Sequence, residues 1–190
     1  MAPGAPLRQP EPLVDGDVAV RGWRPDDVPA LAEFGLDPDN VRYGGVAPGH
    51  AEPEAADYLE AMERMRGDGR AVAFAVVETP TDAILGACDL RLPLPGVGEV
   101  GYLLAPAARG RGVMSRGLRL VVAWAFAELR LVRVQAFASP ENARSVRLLE
   151  RLGFAREGVL RSYRGAGEDR VAFSVLPGEL RQWPASARRR

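Results

Sequence analysis

The chain has 190 residues, 47% of them apolar, and its 25 basic residues, all arginine, balance 25 acidic ones, so the formal net charge is zero. That length suits a single domain with one substantial core, and the balanced charge removes the electrostatic argument for a nucleic-acid or membrane partner, neither of which is expected. A lone cysteine, Cys88, excludes an intramolecular disulfide framework, and with no signal-like segment and no apolar run of bilayer length the reading is a cytoplasmic protein.

Residues 1–12, with four prolines and little that is large and apolar, read as a flexible tail; residues 13–177 as one domain; and residues 178–190, ending in Arg188–Arg190, as a second mobile tail. Asp17–Trp23 is expected as the opening strand. A helix follows from Arg24 to about Leu36, with Pro25 early and acids near its positive end. Asn40–Gly49 is a glycine-rich loop carrying Tyr43. His50, the only histidine, either opens the next helix or lines a cleft, and one histidine cannot build a metal site. Ala51–Arg66 is a helix with Tyr58, Leu59, Met62 and Met65 at helical spacing. Arg70–Glu78, Ile84–Leu92 and Gly98–Leu104 form an antiparallel meander of three strands. Cys88, inside the second of them, reads as a small buried residue rather than a nucleophile. Gly112–Leu129 is a helix whose Leu118, Val121, Val122, Ala125, Phe126 and Leu129 stripe is widened by Leu120 and Trp124, which implies burial on more than one side. Arg133–Ala138 is a strand, Asn142–Leu152 a helix, and Phe154–Tyr163 with Asp169–Val175 two closing strands. The fold class is α/β (α+β): a mixed, twisted sheet, mostly antiparallel, with helices on both faces.

The connection Pro106–Ser115, between an apolar strand and the long apolar helix, carries the chemistry. Arg109-Gly110-Arg111-Gly112 lets the main chain turn tightly, and the helix entered through Val113, Met114 and Ser115 aims its positive dipole end outward, as a pyrophosphate cradle requires. A Walker loop is excluded because the chain has no lysine, and a dinucleotide GxGxxG would need glycine where Ser115 stands. Downstream, Pro140-Glu141-Asn142-Ala143-Arg144-Ser145 opens a helix that packs through Leu148, Leu149 and Leu152 and ends at Gly153-Phe154. Asn142 and Ser145 share one face, where they either hydrogen-bond a ligand or, for Asn142, cap the helix.

Arg109–Met114 resembles motif A, (Q/R)xxGx(G/A), of the GNAT superfamily of acyl-CoA-dependent N-acyltransferases, departing from it at Met114, and Asn142–Phe154 resembles motif B, NxxSxxLxxxLGF. The resemblance covers about residues 14–176 and is closest to the RimJ/RimL-like branch. It implies a GNAT fold whose central strands, Gly98–Leu104 and Arg133–Ala138, splay apart to admit acetyl-CoA, with backbone groups of Leu103 and Leu104 on the pantetheine and amides from Arg109 to Ser115 on the pyrophosphate. It implies direct transfer of an acetyl group to a primary amine in a ternary complex, without a metal, and a possible homodimer.

Such chemistry needs a neutral amine, a donor for the oxyanion and a donor for the departing thiolate. A backbone N–H near Leu103 is the family-like oxyanion donor. Glu99, at the start of the strand that carries the thioester, is the preferred base and part of the acceptor site, with Asp89 as second choice. Many relatives carry a tyrosine seven residues after the motif-B asparagine, where this chain has Leu149, so Ser145 is the candidate to contact the thiol. Trp23 and Tyr43 either border the acceptor cleft or pack ordinarily. An α-amine, with a reference pKa of about 8 against about 10.4 for lysine, favours a protein N-terminus as acceptor; a small amine such as an antibiotic or polyamine, or a non-catalytic acyl-CoA-binding role, are the alternatives.

Overall fold

The computed structural model describes residues 5–45, 49 and 51–181, so His50 and Arg188–Arg190 lie outside the described residues. Eight strands, β1 (Leu13–Asp15), β2 (Val18–Arg21), β3 (Ala71–Glu78), β4 (Ile84–Leu94), β5 (Val97–Leu104), β6 (Arg133–Ala138), β7 (Ala155–Leu160) and β8 (Arg170–Val175), form one sheet in the order β1-β2-β3-β4-β5-β6-β8-β7. Every pair is antiparallel except β5 and β6. Helices α1 (Val28–Ala32), α2 (Pro38–Gly44), α3 (Glu52–Gly67), α4 (Val113–Glu128) and α5 (Ala143–Leu152) cover it from both sides. None among the described residues is long and apolar enough to cross a membrane.

The core divides between the faces. On one, Val72, Phe74, Val76, Cys88, Leu90, Val100, Val134 and Phe173 pack against the apolar stripe of α4 and against Leu149 and Leu152 of α5. Each large side chain withdrawn from water contributes roughly 1.5–3 kcal/mol, and α4 buries Leu118, Val121, Val122, Trp124 and Ala125 together, as its wide apolar stripe requires. Gly117 sets how near it lies, because a Cβ there would come within 3.2 Å of Val76. On the other face, Leu31, Phe34 and Ala55 pack over Ala87 and Leu103.

The expected splay is present in the registers. Parallel pairing of β5 with β6 covers only Val97/Arg133, Gly98/Val134 and Glu99/Gln135. Beyond that point β5 continues on β4 to Leu104 and β6 continues on β8 to Ala138, leaving a gap open at their C-terminal ends.

Local departures from the sequence reading follow from turns, caps and packing. The opening strand is a short hairpin, β1 turning into β2 at Gly16, whose φ of 64° suits glycine. The first helix is broken into a 3-10 turn at Pro25–Asp27, α1, and a second 3-10 turn at Glu33–Leu36, the first break falling where Pro29 lacks the amide that would bond back to the Pro25 carbonyl. Part of the expected loop from Asn40 is the helix α2: the Asp37 carboxylate accepts from the Asn40 amide at 2.9 Å, Pro38 occupies the first helical position, and Gly45 ends it with φ 71°. Finally, Leu7 lies inside a stretch expected to hold no core residue, yet it is buried. Its amide donates to the Arg66 carbonyl and its carbonyl accepts from the Arg66 guanidinium. At the other end Leu180 packs on the core and the Arg181 amide donates to the Leu152 carbonyl at 2.9 Å.

Candidate functional site

The loop after β5 is shaped by two glycines in left-handed conformation, Gly110 at φ 77° and Gly112 at φ 73°, the latter being the N-cap of α4. A helix leaves its first four amides without intrahelical partners. Here these belong to Gly112, Val113, Met114 and Ser115, since Arg116 N–H is the first to bond back, to the Gly112 carbonyl at 3.2 Å. The side chains of Val113, Met114 and Ser115 are buried, so these three residues offer a ligand only their main chain. Met114, the departure from motif A, is accommodated because its terminal methyl lies over Gly86, where a Cβ would come within 3.1 Å of it.

Arg109 requires a correction. Its amide donates to the Pro106 carbonyl at 3.2 Å and its guanidinium is turned inward onto Asp37, Asp39 and the Leu104 carbonyl, the last at 3.3 Å. The ion pair holds the Asp37 carboxyl below its ordinary range. Arg109 therefore pins α2 to the end of β5, and its amide is turned away from an anion in the loop. Arg111 is half-exposed beside the loop and pairs with Glu78 at 2.9 Å.

A cavity of about 900 Å³ runs through the gap between β5 and β6 and is open to both faces of the sheet. Ala87, Asp89 and Arg91 of β4 stand opposite Leu103, Gly101 and Glu99 of β5, so these side chains share one face. Glu99 lies at the fork itself, in the last pair before the strands part, with one carboxylate oxygen accepting from the Gln135 amide group at 3.1 Å. Asp89 accepts from the Tyr58 hydroxyl and from Arg91, each at 3.2 Å, and it lies close over Gly101, where a Cβ would come within 3.2 Å of its carboxylate. Burial, with a smaller contribution from the negative charge of Glu99, pushes the Asp89 carboxyl above its ordinary range. Burial and the Asp89 charge likewise push the Tyr58 phenol up.

On the opposite face, the Tyr102 hydroxyl is 2.6 Å from Ser145 Oγ. The Ser145 amide donates to Asn142 Oδ1 at 3.1 Å, which settles Asn142 as the cap of α5, and Leu149 is fully buried in the core. Alternation along β5 puts Tyr102 with Val100 and Leu104 on the face toward α4 and α5. That alternation was the available signal for Tyr102, which attention to the motif-B position alone passed over.

The two leucines at the end of β5 differ. Ala105 N–H donates to the Leu85 carbonyl at 2.9 Å, which makes 85/105 a hydrogen-bonded pair, and the two-residue alternation of an antiparallel ladder makes Ala87/Leu103 another. The main-chain groups of Leu103 are thus turned to β4, while those of Val100, Tyr102 and Leu104 face the gap, so an N–H near Leu103 that reaches the gap belongs to Tyr102 or Leu104. The Leu104 carbonyl is held by Arg109 and, at 3.5 Å, by Asn40.

Tyr43, on α2, lines the same cavity beneath Arg42. Arg42 pairs with Glu141 at 2.5 Å and Asp39 with Arg144 at 3.0 Å, so α2 bridges to the start of α5 across the mouth. Trp23 does not border this cavity: it follows β2, three strands from the gap, and lines a separate one of about 580 Å³ with Gln9 and Met62. The Cys88 thiol is buried and pushed well above its ordinary range, which fits a packing residue and disfavours a nucleophile.

Comparison with known proteins gives consistent relatives. Residues 17–155 match a family described as acetyltransferase (GNAT) domain. The uncharacterized N-acetyltransferase p20 of Bacillus licheniformis is 29% identical over 174 residues, covering 89% of this chain and 98% of that protein. Mycobacterium smegmatis RimJ in complex with CoA-disulfide has the same fold at a TM-score of 0.79 and 24% identity, over 96% of this chain and 93% of that one. RimL, the ribosomal L7/L12 alpha-N-protein acetyltransferase in complex with coenzyme A, superposes at a TM-score of 0.76 and 18% identity, over 87% and 98% of the two chains.

Proposed function

The chain belongs to the GNAT acetyltransferase family, and from that premise we propose that it moves an acetyl group from acetyl-CoA to a primary amine within the gap between β5 and β6, the acceptor being a protein N-terminal α-amine. The observation that carries this reading is the two-faced cavity, with carboxylates Glu99 and Asp89 on one side of the sheet and the Tyr102–Ser145 hydroxyl pair on the other. An amine entering on the carboxylate side meets a thioester lying in the gap, and the sulfur leaves toward the hydroxyls.

The residues fit the donor. Amides of Gly112–Ser115 and the dipole of α4 suit a pyrophosphate, with Gly110 and Gly112 keeping the loop free of side chains at its turns. Gap-facing main chain of Tyr102 and Leu104 suits the pantetheine amides, as an added strand would pair. Glu99 takes the proton released by the attacking nitrogen, having one oxygen bonded to Gln135 and the other without a protein donor among the described residues. Asp89, beside it, adds negative charge that favours a cationic amine. Ser145 donates to the sulfur. Tyr43 contributes to the acceptor wall.

Cavity charge favours the α-amine over a polycation. The lining carries five acids against six arginines, whereas an antibiotic or polyamine with several charges calls for an acidic excess. The test is CoA release from acetyl-CoA, detected as free thiol, in the presence of N-terminal peptides or a panel of small amines. Peptide-dependent release with little response to polyamines is expected. Release with polyamines alone would transfer the reading to a small-molecule acceptor, and binding of acetyl-CoA without release would favour an acyl-CoA-binding regulatory role.

A further inference from the structure

Leu149 removes the phenol that many relatives place in the motif-B helix, yet a phenol reaches the same gap from the sheet. Tyr102, held in the β4/β5 ladder opposite Cys88, has its hydroxyl 2.6 Å from Ser145 Oγ. No other hydrogen-bond partner is found for either hydroxyl among the described residues. Two hydroxyls carry two protons, and one mutual bond uses one of them. The other proton must be donated elsewhere, and both residues line the cavity.

The order of the pair follows from acidity. A phenol is the stronger donor of the two, so Tyr102 donates to Ser145, and the unused proton belongs to the serine. Ser145 is otherwise immobilised: its amide is tied to Asn142 Oδ1, which fixes the backbone of the first turn of α5 and leaves only the side-chain rotamer free. The bond from Tyr102 removes that last freedom.

We propose that Tyr102 is a positioning residue that fixes the Ser145 hydroxyl with its proton directed into the gap, as the hydrogen-bond donor to the sulfur of the departing CoA thiolate. In the balanced step, the amine nitrogen forms the new C–N bond and gives its proton to Glu99. The C–S bond breaks with its electron pair on sulfur, and that thiolate accepts the Ser145 hydrogen bond. Burial pushes the Tyr102 phenol up, so it stays protonated and serves as a donor rather than as a source of the proton. Ser145 also stands in the first turn of α5, where the positive end of the helix dipole favours an anion.

The inference rests on the reading of the gap as the thioester site, and the experiment separates the two. Wild type, Tyr102→Phe, Ser145→Ala and the double variant are compared by steady-state kinetics and by titrating the ultraviolet absorbance of the CoA thiolate in the bound complex. Desulfo-CoA serves as a binding control that lacks the sulfur. Tyr102→Phe keeps the ring and is expected to melt within a few degrees of wild type. A hydrogen bond to a charged group sets the scale: kcat falls about tenfold in either single variant, with KM for acetyl-CoA within about twofold. The bound thiol pKa rises by about one unit, and desulfo-CoA affinity is unchanged. The double variant is no slower than Ser145→Ala, since Tyr102 acts through the serine. An unchanged thiol pKa in Tyr102→Phe, or losses that simply add in the double variant, would overturn the inference while leaving the acetyltransferase reading intact. Wild type that binds neither CoA nor desulfo-CoA would overturn both.

Discussion

In the proposed reaction Glu99 and Gly112 stand for two different kinds of residue, one acting through its side chain and one through the absence of one. Glu99 is the last β5 residue paired with β6, and Gln135 is paired with it, so its carboxylate is held at the fork without being enclosed. Glu99→Gln keeps the shape and the bond geometry but removes the basic oxygen. The expected result is a fall in kcat of about 10²-fold, in the range for losing a general base, with CoA affinity by calorimetry unchanged. Unaltered turnover would pass the role of base to Asp89. Gly112 has φ 73° at the mouth of four amides that lack intrahelical partners. Gly112→Asp adds a side chain in a strained conformation and a negative charge facing the pyrophosphate, so CoA binding should be lost while the protein still melts cooperatively. Retained CoA affinity would remove the cradle from this loop.

At the level of elements, what was legible in the chain depended on how local the signal was. Helices α4 and α5 and the strands from β3 to β6 announce themselves by period and by Pro/Gly punctuation, and their observed bounds lie close to those expected. The turn that opens α4 was legible in motif A because Gly110 and Gly112 take positive φ values there, 77° and 73°. Helix α2 was missed although Asp37, Pro38 and Gly45 are its start and stop signals, because its short polar body has no apolar stripe to support them. The inward turn of Arg109 is a product of tertiary pairing that nothing local displays, whereas strand alternation places Tyr102 on the α5 face and only its contact with Ser145 needs the fold. A further tertiary product anchors α1: Arg21 on β2 donates to Asp27 at 2.7 and 3.0 Å and to Asp82 at 2.9 and 3.2 Å, with the Arg21 and Asp27 side chains nearly buried. These partners hold the Arg21 guanidinium firmly charged. Asp27→Ala removes two charged hydrogen bonds and leaves the Arg21 guanidinium to Asp82, so it should cost about 1.5–3 kcal/mol in urea unfolding. Glu60→Ala, which breaks an exposed pair with Arg64, should stay within about 0.5 kcal/mol. Equal effects would mean that the burial of the Arg21 pair contributes nothing.

Over the whole molecule, the balance of arginines against acids makes pH a directional probe of the fold. Asp17, Asp37, Glu63, Asp82 and Glu157 are all held below their ordinary range, in each case first by a hydrogen bond from an arginine. A carboxyl whose folded pKa is depressed stabilises the fold above its unfolded value, and that contribution is lost as pH falls toward the folded value. Their sum predicts a melting temperature that is flat near neutrality and drops steeply below about pH 4. Asp89, pushed the other way by burial, opposes the trend, because keeping it ionised at neutral pH weakens the fold. Glu157 isolates the effect: Arg133 and Ser174 hold its carboxyl down at about 2 from 4.5, joining the edge strand β7 to β6 and β8. Its side chain is 41% exposed, so solvent screening limits the contribution to under about 1 kcal/mol. Glu157→Gln should therefore melt a few degrees below wild type at pH 7, converge on it through the window from 4.5 downward, and meet it near pH 2. Scanning calorimetry across that range decides it, and curves that stay parallel would show that the difference comes from packing at the sheet edge rather than from the charge.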